Sequence, residues 1–477
     1  MLNARALVAS AWLLVALLST GCSRLPLLNP DLARPSAAAV RVEGARGVLS
    51  AAQSKVILDR LRSNSPNTNI FDRHLALEEA IVGSPLTTGN AVKLLEDGPA
   101  TYRAMLAAIE AAKDHINLET YILEDDEVGH SFAQALIARQ RQGVQVNVIR
   151  DSVGTLGTPN AFFKTLSDSG VNMLEFNPVN PLLARKAWKL NHRDHRKLLI
   201  VDGTVAFLGG TNISSVHSGG SFSQRSRAQR KLTEKLPEEP MNAEPGKSLA
   251  WRDTDLQLQG PVVAEFQRLF LDTWEKQHGA ALAQRNYFPP LKNMGTQVVR
   301  AIGSSPGDPF SLIYATLLSA IGSAEASVYL TNAYFVPDPQ LLATLKAAAA
   351  RGVDVRLILP SQTDWWLVFH AGRGHYAQLL RAGVKIYERR GAILHSKTAL
   401  IDGVWATVGS TNLDWRSFLH NDELNAVVLG TEFGSQLKAM FNKDLAASDQ
   451  ITLEKWQQRP FNLRIKEMFG KLWEYWL

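Results

Sequence analysis

Apolar and polar positions along this chain follow two periods that take turns. Thr101–Asp114 (TYRAMLAAIEAAKD) repeats its apolar residues at intervals of three and four, as a helix with one buried face does. Ile116–Leu123 (INLETYIL) is rich in strand formers, Ser131–Gly143 is helical again, and Val144–Ile149 (VQVNVI) predicts a strand. The same succession returns later. Phe310–Ala324 predicts a helix, Ser327–Phe335 a strand, Leu341–Gly352 a helix and Val353–Leu359 a strand. Helices close on glycine just before an apolar strand at Gly143-Val144, Gly170-Val171, Gly352-Val353 and Gly383-Val384, which marks α/β units. The pattern therefore predicts an α/β fold of two similar lobes, residues 91–287 and 288–447, meeting near Phe288–Val299. Ala91–Gly98 opens the first lobe as a short strand and turn. Leu49–Leu61 and Phe71–Val82 predict helices without a later counterpart, within a tether and N-terminal extension over 23–90. Residues 448–477 predict a helical tail.

The lobes differ in one place. Asn212 and Asp253 are separated by a polar stretch without period, about 216–249, whereas Asn412 and Glu423 are close in sequence. Such a stretch predicts a surface insertion. Its Arg225, Arg227, Arg230 and Lys231 give a sharper reading, a basic lip against anionic membrane.

The first 22 residues follow another pattern: Arg5, then the apolar run Ala6–Leu18, then Ser19-Thr20-Gly21-Cys22. The run is too short to span a bilayer and has the layout of an export signal. Small residues before a lone cysteine resemble the bacterial lipobox, whose cysteine is acylated after cleavage, although Ser19 stands where that pattern has Leu. The expectation is an exported chain facing the periplasm, anchored by a lipidated Cys22. A simple cleaved signal or an uncleaved anchor are the alternatives. With a single cysteine there is no internal disulfide. Composition changes this picture little: 45% hydrophobic and 20% charged is globular. A net charge of +6 suits an anionic partner without choosing among phosphate, lipid head group and nucleic acid.

The candidate chemistry lies in a repeat. HRKLLIVDGTVAFLGGTN, His195–Asn212, recurs as HSKTALIDGVWATVGSTN, His395–Asn412. Asp202-Gly203 and Asp402-Gly403 are hairpin signals between strand-like flanks. A two-residue turn would set His395 opposite Ser410, Lys397 opposite Val408 and His195 opposite Gly210. His and Lys two apart project from one face of a strand. Each copy thus offers a His, a Lys and an amide donor (Lys197 with Asn212, Lys397 with Asn412) around a small hole, which is an anion site holding a nucleophile. Gly209, Gly409 and Ser410 keep the hole small. Asp202 and Asp402 read as structural, holding loop amides in Asx fashion. His192 flanks the pocket or faces solvent. No ligand set for a metal is legible and no cofactor is called for.

With these residues in hand, the chain resembles the phospholipase D superfamily, whose signature is the doubled H-x-K-x4-D motif. The likeness covers roughly residues 90–450. It is nearest to bacterial cardiolipin synthases, through NAYFVPDPQLLATLKAAAARGVDVRLILP, HSKTALIDGVWATVGSTNLDWRSFLHNDELN, WRDTDLQLQGPVVAEFQRLF and WQQRPFNLRIKEMFGKL. Two departures stand out: Gly210 replaces the usual Ser, and the usual transmembrane hairpin gives way to the lipobox-like start.

The resemblance implies two phospholipase D-like lobes in a pseudo-twofold pair with one shared active site. It implies transfer of a phosphatidyl group, through a phosphohistidine, to phosphatidylglycerol or another alcohol, with hydrolysis to phosphatidic acid as the alternative and a nuclease or a non-catalytic lipid-binding lipoprotein as remoter rivals. His195 would be the nucleophile and His395 the general acid and then base, the reverse order staying open. Asp253 and Glu423 would each orient a histidine, with Asp255 the rival to Asp253. The implied partners are anionic phospholipids and the membrane surface. No obligate protein partner is implied, and a mildly basic chain without an aromatic–basic tract argues against nucleic acid. Two segments mix apolar, aromatic and basic residues: Pro178–Leu190, read as interfacial, and the tail Phe461–Leu477, read either as core cover or as interfacial.

Overall fold

The computed structural model describes residues 40–65, 68–180, 191–218 and 250–474. The leader with Cys22, residues 181–190, and Arg225, Arg227, Arg230 and Lys231 lie outside the described residues.

Two sheets of one plan carry the molecule. In the first lobe the main strands are β1 Leu86–Glu96, β2 His115–Thr120, β3 Gln145–Asp151, β4 Asn172–Phe176, β5 Leu198–Val201, β6 Val205–Gly209 and β7 Thr254–Gln259. They lie in the order β1-β7-β6-β5-β2-β3-β4; β2, β3 and β4 are mutually parallel and the other neighbours antiparallel. The second lobe has β8 Gln297–Ser304, β9 Ser327–Asn332, β10 Asp354–Pro360, β11 Lys385–Arg389, β12 Lys397–Ile401, β13 Trp405–Gly409 and β14 Asn421–Leu429. Their order, β8-β14-β13-β12-β9-β10-β11, repeats the first strand for strand. Parallel neighbours need helical crossovers. Glu127–Arg141 links β2 to β3, and Pro339–Ala350 links β9 to β10. Gly143 and Gly352 end these helices at φ 88° and 90°, a conformation that a Cβ would strain.

β1 and β8 pair antiparallel, so the sheets join edge to edge. Between them lie the helices Val263–Lys276 and Thr431–Ala446. Their Phe266, Phe270, Phe433 and Phe441 share one buried core with Ile200 and Leu256 of the first sheet and Leu400 and Val408 of the second. Full burial of each such side chain stabilises by roughly 1.5–3 kcal/mol, so the two lobes are stabilised in common. Helices on the outer faces close two further cores, one per lobe.

The N-terminal extension forms the helices Ala51–Ser63, Ile70–Arg73 and Leu75–Val82, the predicted second helix being interrupted at His74. It packs on the second lobe, where His74 bonds Ser319 at 2.8 Å and meets Trp405 edge-on. Ahead of the tail's helices, Ser448–Ile451 forms a strand on the free edge of β11. Among the described residues no helix is long and apolar enough to cross a membrane.

Candidate active site

Each repeated motif folds as a hairpin, but on a register one residue from the expected one. Ile401 pairs with Trp405 and Thr398 with Val408, as Val201 pairs with Val205 and Leu198 with Leu208. The turn over Asp402-Gly403 closes from Val404 N to Ile401 O, with both residues at positive φ (51° and 70°). Val404 is then an extra residue, so Lys397 does not face Val408. The aspartates keep a structural role by a longer reach than an Asx turn. Asp202 accepts from the backbone amides of Lys113, Asp114 and His115, and Asp402 from those of Glu325, Ala326 and Ser327. Each turn is thereby pinned to the loop that feeds the neighbouring strand.

At the ends of β6 and β13, neighbouring strands crowd the glycines. A Cβ on Gly209 would lie 2.2 Å from Asp255 Oδ1, and one on Gly409 2.1 Å from Asn425 Oδ1. Asp255 accepts from Thr101 and Thr211 and so orders the first hole's rim; among the described residues it bonds no histidine.

The two motifs meet, and they exchange partners. Arg193–Asp194 pairs in parallel with Asn421–Asp422, and Ile393–Leu394 with Trp251–Arg252. His195 N donates to Asp422 O at 3.0 Å and His395 N to Arg252 O at 2.8 Å. Each histidine is thus fastened to the opposite lobe, one residue short of that lobe's carboxylate. His195 Nδ1 lies 3.1 Å from both oxygens of Glu423, and His395 Nδ1 lies 2.7 Å from Asp253 Oδ2. Both pairs are buried. A carboxylate on Nδ1 fixes the imidazole tautomer and turns Nε2 outward.

The carboxylates differ. Glu423 also accepts from Ser410 Oγ at 2.5 Å and from Asn421 Nδ2 at 3.2 Å. Burial opposes its charge, but His195, Lys197 and Ser410 outweigh burial and hold its pKa below the usual value. For Asp253 burial wins and raises the pKa, against Lys397, His217 and the Thr254 amide. Its would-be serine is Gly210, where a Cβ would come 2.1 Å from Asp253 Oδ1. The departure at Gly210 is therefore steric: the aspartate occupies the space of the side chain.

Lys197 and Lys397 each donate from Nζ to the carbonyl of the histidine two residues before. Burial, and for Lys197 the second lysine, lowers them to about 7 and about 8. Burial and then the adjacent lysine lower His195 to about 4, and His395 falls well below its usual value for the same reasons. Asn212 and Asn412 are buried beside them, each with Oδ1 lacking a hydrogen-bond partner among the described residues. Two lysines and two histidines thus share one buried centre, where a bound anion would relieve the repulsion that lowers them.

Other side chains close the site that the motifs did not reveal. Tyr121 stands edge-on to His195 at 5.0 Å, and Tyr334 to His395 at 6.2 Å. His217, on the short turn Ser215–His217, lies 3.5 Å from Asp253 Oδ2 and 5.3 Å from the His395 ring, under Trp251. His217 stands five residues past Asn212, where the second copy has Ser417, so the repeat did not single it out. His217, Asp253 and His395 could form a metal-ligand set, their ligand atoms within 4.8 Å of one another. Lys397 and Lys197 act on this group electrostatically and oppose a cation there. His192 takes Asp422 at 3.0 Å, at the pocket's flank.

Comparison with known proteins fits this geometry. Residues 105–218 and 317–445 match the family model described as "Cardiolipin synthase, PLD-like domain". The chain is 35% identical over 401 residues to a cardiolipin synthase of Geobacillus kaustophilus, covering 83% of this chain and 74% of that one. It is 34% identical to that of Alkalihalophilus pseudofirmus, covering 82% and 73%. Among solved structures, a phosphatidylserine synthase of Haemophilus influenzae superimposes with a TM-score of 0.58 over 88% of this chain and all of that one, at 12% identity, a likeness of fold.

Proposed function

Because this chain belongs to the cardiolipin synthase family of phospholipase D-like proteins, we propose that its paired motifs transfer a phosphatidyl group between alcohols. It is a phospholipase D superfamily enzyme, a phosphatidyltransferase of cardiolipin synthase type acting in phospholipid biosynthesis. The observation that carries the site assignment is the crossed pairing of each histidine with the other lobe's carboxylate.

In this reading His195 Nε2 attacks the phosphorus of a phospholipid diester. The bond to the leaving alcohol breaks, and His395 gives that oxygen its proton. The phosphatidyl group is then held on His195, whose Nδ1–H faces Glu423. Glu423 holds its charge more firmly than Asp253, which favours the histidine beside it, His195, as the one that carries the phosphatidyl group. An acceptor hydroxyl next gives its proton to His395, attacks phosphorus and frees His195. With phosphatidylglycerol as acceptor the product is cardiolipin; water would give phosphatidic acid. Lys197, Lys397, Asn212 and Asn412 bind the non-bridging oxygens as charge builds; loss of one such donor typically raises the barrier by about 3–4 kcal/mol. In the empty site both histidines are driven neutral. The bound phosphodiester's negative charge restores proton affinity to the acid.

The substrate places the enzyme at a membrane, and lipidation of Cys22 facing the periplasm is the anchor we favour. His195→Ala and His395→Ala should each abolish formation of cardiolipin from phosphatidylglycerol vesicles, followed by lipid mass spectrometry, with the melting temperature held. Transfer by either variant would refute the two-histidine mechanism. Phosphatidic acid as main product would favour hydrolysis.

A further inference from the structure

We propose that the outer face of the helix Phe461–Leu472 is the surface by which this enzyme lies on an anionic phospholipid bilayer. The proposal rests on the phospholipid reading above and names the surface that serves it.

The helix is mounted the wrong way round for a core cover. Phe461, Ile465, Met468 and Leu472 recur at intervals of four, three and four, so they form one stripe, and they are 74%, 47%, 63% and 73% exposed. Phe469 and Trp473 widen it, at 47% and 40%. The side toward the protein carries Glu467 and Gly470. Glu467 is paired with Arg459 at 2.6 Å, and a Cβ on Gly470 would lie 2.6 Å from Ala371 N. A contiguous apolar face turned outward marks an interaction site.

Charge and continuity choose the occupant. The helix carries Arg464, Lys466 and Lys471, while its one acid, Glu467, is buried and paired. Apolar residues flanked by cations fit an anionic interface, and the same cations repel a second copy of the face. The stripe also leads to the reaction centre. Phe469 meets Trp366 at 6.4 Å, the adjacent Trp365 is 46% exposed and meets Tyr334 at 6.4 Å, and Tyr334 meets His395 at 6.2 Å. Tryptophans favour the head-group level of a bilayer. A helix seated there leaves acyl chains in the membrane while the phosphodiester reaches His395.

The test uses the full chain with Cys22→Ser and an environment-sensitive nitrobenzoxadiazole group on Met468→Cys or, as control, on Lys55→Cys. Phosphatidylglycerol vesicles should shift the emission at 468 to the blue, phosphatidylcholine vesicles less, and the label at 55 not at all. An unchanged spectrum at 468 while the chain sediments with phosphatidylglycerol vesicles would overturn the proposal. So would a vesicle-independent, concentration-dependent shift with dimers in light scattering, which would make the stripe a self-interface. The triple variant Phe461→Ser, Met468→Ser, Leu472→Ser should lose at least tenfold in transfer on vesicles. It should keep turnover of a short-chain phosphatidylglycerol dispersed as monomers. Loss on both substrates would overturn the docking role. An unaltered chain inactive on both would refute the functional reading instead, leaving the label shift to decide docking by itself.

Discussion

At the residue scale, the asymmetry between the two histidine pairs makes the sharpest demands. Ser410→Ala removes one donor from a buried, ionised Glu423. A hydrogen bond to a charged group contributes about 1.5–3 kcal/mol, so transfer should fall on the order of 10–100-fold, measured as kcat/KM. The converse change, Gly210→Ser, has no room and should lower activity rather than restore a missing donor. The pH profile follows from the depressed values. A lysine whose pKa is lowered loses its charge earlier as pH rises, so binding of an anionic diester should weaken above about pH 7–8. A histidine lowered to about 4 stays neutral down to that pH, so the nucleophile should fail only near pH 4. A kcat/KM profile with its acid limb near the ordinary histidine value would contradict a desolvated His195.

At the scale of elements, the hairpins act through what holds them. Asp402 ties its turn to three amides where the chain enters β9 and to Thr68 of the N-terminal extension at 2.6 Å. Asp402→Ala leaves those amides without their acceptor and should cost about 1–3 kcal/mol, read as a lower denaturant midpoint at unchanged m-value. Asp202→Ala should cost a similar amount through Lys113–His115. These aspartates belong to the most repeated part of the sequence yet serve the fold, because a turn held at two points gives the following strand its register. The helix Phe461–Leu472 makes the opposite point. Its periodicity was legible, but the stripe alone did not say whether it faced a core or the outside.

At the scale of the whole molecule, the lobes are not separable catalysts. Each histidine is completed by a carboxylate from the other lobe, and the central core draws residues from both. Expressed separately, 1–287 and 288–477 should each be inactive and should aggregate, because each would expose the core face of Val263–Lys276 or Thr431–Ala446 to water. Sedimentation after expression, with the transfer assay, checks this. An active isolated lobe would mean that the crossed pairs are dispensable.

The alternation of helix and strand, the doubling of the lobes, and the His, Lys and Asn of each repeated motif could all be read along the chain. These follow from periodicity and repetition, which are local properties of the chain. Asp253 and Glu423 were candidates through the family resemblance, with no sign of which histidine each would take. Tertiary structure alone decided that exchange, since it depends on strand pairs 421–422 with 193–194 and 251–252 with 393–394 that span the lobes. It also decided the one-residue shift of the hairpins, the closure of the site by Tyr121, Tyr334 and His217, and the outward face of the last helix. Each of these is set by which surfaces pack together, and contacts between residues hundreds of positions apart leave no period in the chain.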